Sequence, residues 1–243
     1  MNIRQSIKWA AVAGLTLAGV AIGLYLGAHH ALRHEPVFYA QALETPAVEQ
    51  QKAGREFERN VLKLHNDLRD KGQWKRVFTD SEINGWLAVE LPKKFPELLP
   101  PTIDQPRVAL APDTLNLAFR YQDAKWSTVI NLSMEVQLTE VPNTFGLRIR
   151  NARAGWIPIP LGDFLDQISQ AARQSDLLLR WAQQDGDPVA LITIPHESDN
   201  GISEPIVIEA VDIDEGKLVI AGRKVTLGEQ SRPPQDEAPT ASP

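Results

Sequence analysis

Hydrophobic and polar positions divide the chain into four regimes. Residues 9–28, WAAVAGLTLAGVAIGLYLGA, run for twenty positions without a charge. At 1.5 Å per residue a helix of that length spans roughly the 30 Å hydrocarbon core of a bilayer. A charged, helix-favouring stretch follows over 44–70, in which Phe57, Val61, Leu64 and Leu68 draw one narrow apolar stripe. Such a stripe either packs on its own domain or forms a parallel coiled coil with a second copy, and Gly72 ends it. Thr79 and Glu82 then have capping-box spacing, and Ile83, Trp86, Leu87 and Leu91 form an apolar face that Pro92 is expected to stop. Pro92, Pro96, Pro100, Pro101 and Pro106 read as a stiff connector that can be neither helix nor central strand.

Period-two alternation takes over beyond the connector. A Pro112-Asp113 turn leads to 114–121, with Leu115, Leu117, Phe119 and Tyr121 on one face. From 126 to 138 the even positions are Trp126, Thr128, Ile130, Leu132, Met134, Val136 and Leu138. The odd ones are mostly polar, with Val129 the exception. Thirteen residues at about 3.3 Å each make an extended strand on the order of 40 Å long, and a sheet of that length is expected to twist and curl. After a Pro142-Asn143 turn the alternation returns at Phe145, Leu147 and Ile149, then slips to Ala152, Ala154 and Trp156. That slip of one residue predicts a β-bulge near Arg150 or Asn151. Arg148 and Arg150 share the polar face, either simply solvated or in contact with an anionic headgroup.

GWIPIPL at 155–161 closes the strand, and 162–175 reads as a helix with Leu161, Leu165, Ile168 and Ala172 as its buried stripe. Segment 177–183 fits helix or strand. Asp185-Gly186 between it and 189–194 favours a hairpin. A second hairpin is expected from 206–213 and 217–225 around Asp214-Glu215-Gly216. The tail 229–243, rich in Pro, Ala, Ser and Thr, has the composition of a disordered segment. These elements predict an α+β chain: a cytoplasmic end 1–8, a transmembrane helix 9–28, a juxtamembrane helical segment 29–72, one domain 73–228 and the tail.

Charge sets the orientation. Arg4 and Lys8 precede the apolar run and no acidic residue does, so the positive-inside rule places the N-terminus in the cytoplasm and the domain outside. A cleaved signal peptide is the rival, but Tyr25 and Leu26 occupy positions where cleavage wants small residues. No Cys occurs anywhere, which excludes a lipoprotein anchor, a disulfide framework, a thiolate metal site and a cysteine nucleophile. Beyond the run, 23 basic residues stand against 31 acidic ones, which argues against nucleic acid as a partner. Gly19, Gly23 and Gly27 repeat at intervals of four and could bring two membrane helices together as a homodimer, although glycine is common in such helices anyway.

Candidate chemistry is sparse. There is no G-x-S-x-G, no H-E-x-x-H and no phosphate-binding glycine loop. His29, His30 and His34 crowd the membrane exit without a carboxylate at helical spacing. His196, Glu197 and Asp199 share a polar loop composition that suits a solvated turn. No catalytic residue, metal ligand or cofactor site is expected.

FTDSEINGWL at 78–87, the long meander of strands and the GWIPIPL element before a helix together resemble bacterial envelope proteins of the YpmS and YceB type. These are similar to the tubular lipid-binding (TULIP) superfamily. The resemblance covers roughly 74–225 and implies a long curled antiparallel sheet wrapped around one or two helices, leaving an apolar groove for lipid or fatty-acid chains. On that expectation Trp126, Ile130, Leu132, Met134, Phe145, Leu147, Ile149 and Trp156 are the candidate lining. The alternative is a structural or assembly protein of the envelope with a filled core, acting through dimerisation.

Overall fold

A computed structural model describes residues 32–70, 72–124, 127–160, 178–194 and 206–224, together with 162, 165, 166, 169, 172 and 173. The proposed membrane helix with Gly19, Gly23 and Gly27, the residue Trp126, the His196 loop and the tail lie outside the described residues. Among the described residues no helix is long and apolar enough to cross a membrane.

Helix α1 (Val37–Glu44) precedes α2 (Ala47–Asp70), and β1 (Gln73–Thr79) follows. Helix α1 falls within the juxtamembrane helical segment expected over 29–72, although the apolar stripe that marked that segment begins only in α2. Tyr39 is fully buried against Ala118 and Val129, with Phe38 and Leu43 packed around it. The α2 stripe packs on its own domain: Phe57 lies 5.4 Å from Phe78 and 5.7 Å from Trp86 between ring centroids. Val61 departs from the expectation and is exposed. The C-terminal end of α2 is tied to β1 by an ion pair between the buried Asp67 and Arg76.

The expected capping box is present at the start of α3 (Asp80–Gly85). Thr79 Oγ1 accepts the Glu82 N–H at 3.2 Å and Glu82 Oε2 accepts the Thr79 N–H at 2.9 Å. Pro92, however, does not stop the helix. A π-helical turn, Trp86–Glu90, leads directly into α4 (Leu91–Lys94), and the Leu91 N–H reaches back five residues to the Trp86 carbonyl. The wider turn accommodates a proline ring that an α-helical carbonyl four residues back would oppose, so the chain stays helical two residues further. Helices α2 and α3 cross backbone to backbone. A Cβ on Gly85 would lie 2.5 Å from Gly54 N and 2.6 Å from Gln50 O.

Two antiparallel sheets follow. The larger has seven strands: β2 (Ile103–Ala111), β3 (Thr114–Gln122), β4 (Ser127–Leu138), β5 (Thr144–Ala154), β6 (Ile157–Pro158), β7 (Leu178–Gln184) and β8 (Asp187–Thr193). Its order is β2-β3-β4-β5-β8-β7, with β6 pairing on β5. The smaller runs β1-β10-β9, with β9 (Ile206–Asp214) and β10 (Lys217–Lys224) forming the expected second hairpin. Segment 178–184 is a strand, which settles its ambiguity in favour of the hairpin. The bulge falls at Arg150: Ser133 pairs with Asn151 and Met134 with Ile149, leaving Arg150 over. Val129, the apolar exception among odd positions, faces the other side of the sheet and is covered there by Tyr39. Pro106 lies inside β2 rather than in a connector. It is tolerated because β2 is an edge strand whose register shifts between Asp104 and Arg107.

Asparagine amides join these layers. Asn84 Nδ2 donates to Val108 O at 2.8 Å while Asn84 Oδ1 accepts the Val108 N–H at 2.7 Å, so α3 satisfies a stretch of the exposed β2 edge. Asn143 does the same for β9, donating to Ile206 O at 2.6 Å and accepting the Ile208 N–H at 2.9 Å. Its backbone takes a left-handed φ of 56°, which asparagine tolerates better than most residues.

Candidate functional site

The large sheet presents one apolar face, and that face has two halves. In the first, Phe119, Ile130, Leu132, Met134, Ile149 and Ala152 form a buried cluster. The described residues of segment 162–173 are helical and lie against it. Leu165 packs on the cluster and the Trp181 indole N–H donates to Ser169 Oγ at 2.7 Å. This half is filled by the protein's own side chains.

The second half is open. A cavity of about 500 Å³ extends from Leu115, Val136, Phe145, Leu147 and Ile192 of the large sheet to the small sheet, where β9 and β10 contribute isoleucines, leucine and valine. Leu64 and Leu68 of α2, Ile83 of α3 and Trp74 of β1 border the remainder. Nineteen residues line it, and Asn143 alone among them is not hydrophobic. The Asn143 amide is occupied by its two backbone bonds to β9, which removes it as a partner for anything bound. The wall exposes no polar surface to the cavity, and the Trp74 nitrogen is itself buried away from it. Trp74 is only 6 % exposed and its indole N–H meets no acceptor.

The sequence-based lining residues therefore divide. Phe145 and Leu147 border the cavity, whereas Ile130, Leu132, Met134 and Ile149 belong to the packed cluster. Trp156 does neither: it is 60 % exposed, and its ring lies tilted against His34 with centroids 4.6 Å apart. Comparison with known proteins finds no matching family model, no matching curated protein and no matching solved structure. The cavity-lining side chains of α2, β1, β9 and β10 were missed as lining by sequence reasoning. Their signal was the same stripe and alternation that predicted the elements, but alternation names a face without naming what stands opposite it.

Charges lie on the opposite face and are paired among themselves. Arg148 contacts Asp187 at 2.8 Å and Asp185 at 3.3 Å; Arg150 contacts Asp187 at 2.9 Å and Glu135 at 3.0 Å. Hydrogen bonding from Arg148, and secondarily from Arg150, holds the Asp187 carboxyl below its ordinary value of 3.8. These two arginines thus meet carboxylates of their own chain rather than standing free for a headgroup. Beside α1, Arg107 is only 5 % exposed and donates to Pro106 O at 2.7 Å, and burial lowers its pKa. Burial likewise raises the pKa of Tyr39, whose hydroxyl has no hydrogen-bond partner. Among the described residues no group of three His, Asp or Glu is placed to hold a metal ion.

Proposed function

We propose that the chain is a single-pass membrane protein whose extracytoplasmic domain, similar to the tubular lipid-binding type, holds lipid acyl chains in the apolar cavity. The observation that carries this reading is the lining: a space of about 500 Å³ bordered by nineteen residues of which eighteen are hydrophobic. That volume falls within the range of roughly 300–1,000 Å³ usual for small-molecule sites. An empty apolar space forfeits dispersion contacts along its walls, and an acyl chain restores them while leaving water at about 0.8 kcal/mol per buried methylene. The proposal assigns no catalytic residue and no metal or cofactor.

Mass spectrometry of the domain expressed from Leu32 onward, before and after organic extraction, tests this. Co-purifying fatty acid or phospholipid that is lost on extraction and rebinds is expected. Protein that never carries lipid and takes up no acyl probe refutes it.

A second reading, an envelope assembly protein with a filled core, is favoured by the packed cluster around Ile130 and Leu132. It predicts no lipid in the same experiment.

A further inference from the structure

The described chain begins at one end of the longest strand, and the surface there differs from the rest. Leu32 is fixed to that end, its carbonyl accepting the Thr128 hydroxyl at 2.7 Å. Two residues later the His34 ring lies tilted against Trp156, just past the end of β5. Trp156 is 60 % exposed and Val37, three residues beyond His34, is 70 % exposed. Arg33 and Arg153 are also exposed there, and among the described residues neither has an ion-pair partner. Cations without a carboxylate partner among the described residues, beside exposed aromatic and aliphatic side chains, contrast with Arg148 and Arg150, whose charges are compensated by carboxylates.

We infer that this end of the domain seats on the bilayer, with Trp156 and Val37 in the interface and Arg33 and Arg153 against anionic headgroups. The inference rests on the anchored reading above, because chain length identifies the occupant. Leu32 is four residue steps beyond position 28, where the charge-free run ends. Fully extended they reach no further than about 14 Å. The headgroup layer is itself roughly 5–8 Å deep on each side of the hydrocarbon core. Leu32, and with it the His34–Trp156 contact, is therefore held within a short step of the headgroups. Tryptophan favours that zone, with its ring among the glycerol and upper acyl groups. Arginines near an anionic leaflet add attraction that weakens with salt.

The absence of cysteine makes the test clean, since each single substitution creates a unique labelling position. Full-length V37C, W156C and V141C carry a nitroxide in vesicles of phosphatidylcholine and phosphatidylglycerol. Val141 is the control, exposed at the β4–β5 turn, beyond the far end of a twelve-residue strand. At about 3.3 Å per residue it stands on the order of 40 Å away. Labels at 37 and 156 are expected to show a several-fold higher ratio of oxygen to water-soluble nickel-chelate accessibility than the label at 141. Equal nickel accessibility at all three positions overturns the inference. Shielding of 37 and 156 from both reagents also overturns it, and points to a protein or a second copy on that face. A chain that washes off in carbonate overturns the anchor and the seat together. One that is retained with wet labels overturns the seat alone. Lipid carriage in the cavity is measured separately and is unaffected by either result.

Discussion

Ile130 and Leu147 occupy the same face of the same sheet, yet a tryptophan at each should have opposite consequences. Ile130 is 6 % exposed within the cluster of Phe119, Leu132, Met134 and Ile149, with the 162–173 helical residues across it. An indole there must displace close-packed neighbours, at a cost of roughly 1–3 kcal/mol. For a domain of 150–250 residues each kcal/mol shifts Tm by about 2–4 °C, so Ile130→Trp should lower Tm by about 2–12 °C. Leu147 borders the open volume of about 500 Å³, where an indole gains contacts instead of losing them. In delipidated protein Leu147→Trp should leave Tm unchanged or raise it, while reducing the uptake of a fluorescent fatty acid. Ile130→Trp should retain that uptake in the protein that remains folded. Thermal unfolding by circular dichroism and probe titration on the same samples read both quantities. If Leu147→Trp destabilises delipidated protein as much as Ile130→Trp does, the space is not there and the binding reading fails with it.

Three further outcomes follow from packing and charge. Gly85→Ala places a methyl against the α2 backbone at 2.5–2.6 Å and should lower Tm by several degrees, whereas Gly72→Ala, with nothing within 4 Å, should not; equal effects would mean that the helices do not cross where the backbone contact places them. Tyr39→Phe removes a buried hydroxyl without a partner and should be neutral or stabilising, while Tyr39→Ala should cost about 3–5 kcal/mol; a clear Tm loss on Tyr39→Phe would show that the hydroxyl is satisfied. Because the Asp187 carboxyl is depressed in the folded protein, its stabilisation is present above the ordinary value of 3.8 and lost as pH falls through the lower folded value. The Tm difference between wild type and Asp187→Asn should therefore hold from neutral pH toward that value and close below it, and a difference independent of pH would exclude the ion pair as its source.

What sequence could and could not reveal follows from how far each signal reaches. The bulge was legible because one extra residue, Arg150, inverts the phase of everything after it. The capping box was legible because both of its hydrogen bonds close within four residues. Strand β1 was not. Its inward parity runs Trp74, Arg76, Phe78, and the arginine there pairs with Asp67 of α2, so a distant carboxylate hides the alternation. Strand β2 was obscured by Pro106, which reads as a breaker unless the strand is known to lie at an edge. Open and filled halves of the sheet were indistinguishable because Ile130 and Leu147 obey the same parity. The distance to the opposing layer decides between them, and that layer comes from residues 47–79 and 206–224.

The placement of those two halves along β4 bears on how a ligand would be handled. The packed half lies toward Thr128, where Leu32 ties the chain to the start of the strand, and the cavity lies toward Val136 and the β4–β5 turn at its other end. If the domain seats by Trp156 and Val37, the cavity stands tens of ångströms from the bilayer that holds the anchor, given about 3.3 Å per strand residue. An acyl chain in it would then be out of that bilayer entirely. Asn143, whose amide holds Ile206 and Ile208 of β9, sits at this far end, so losing its two bonds loosens the small sheet at one edge of the cavity. Asn143→Ala should therefore raise the rate at which the acyl probe exchanges, with only a modest change in its affinity, because the apolar walls remain. Stopped-flow release of the probe measures this directly. An unchanged release rate would mean that the small sheet does not open at that edge.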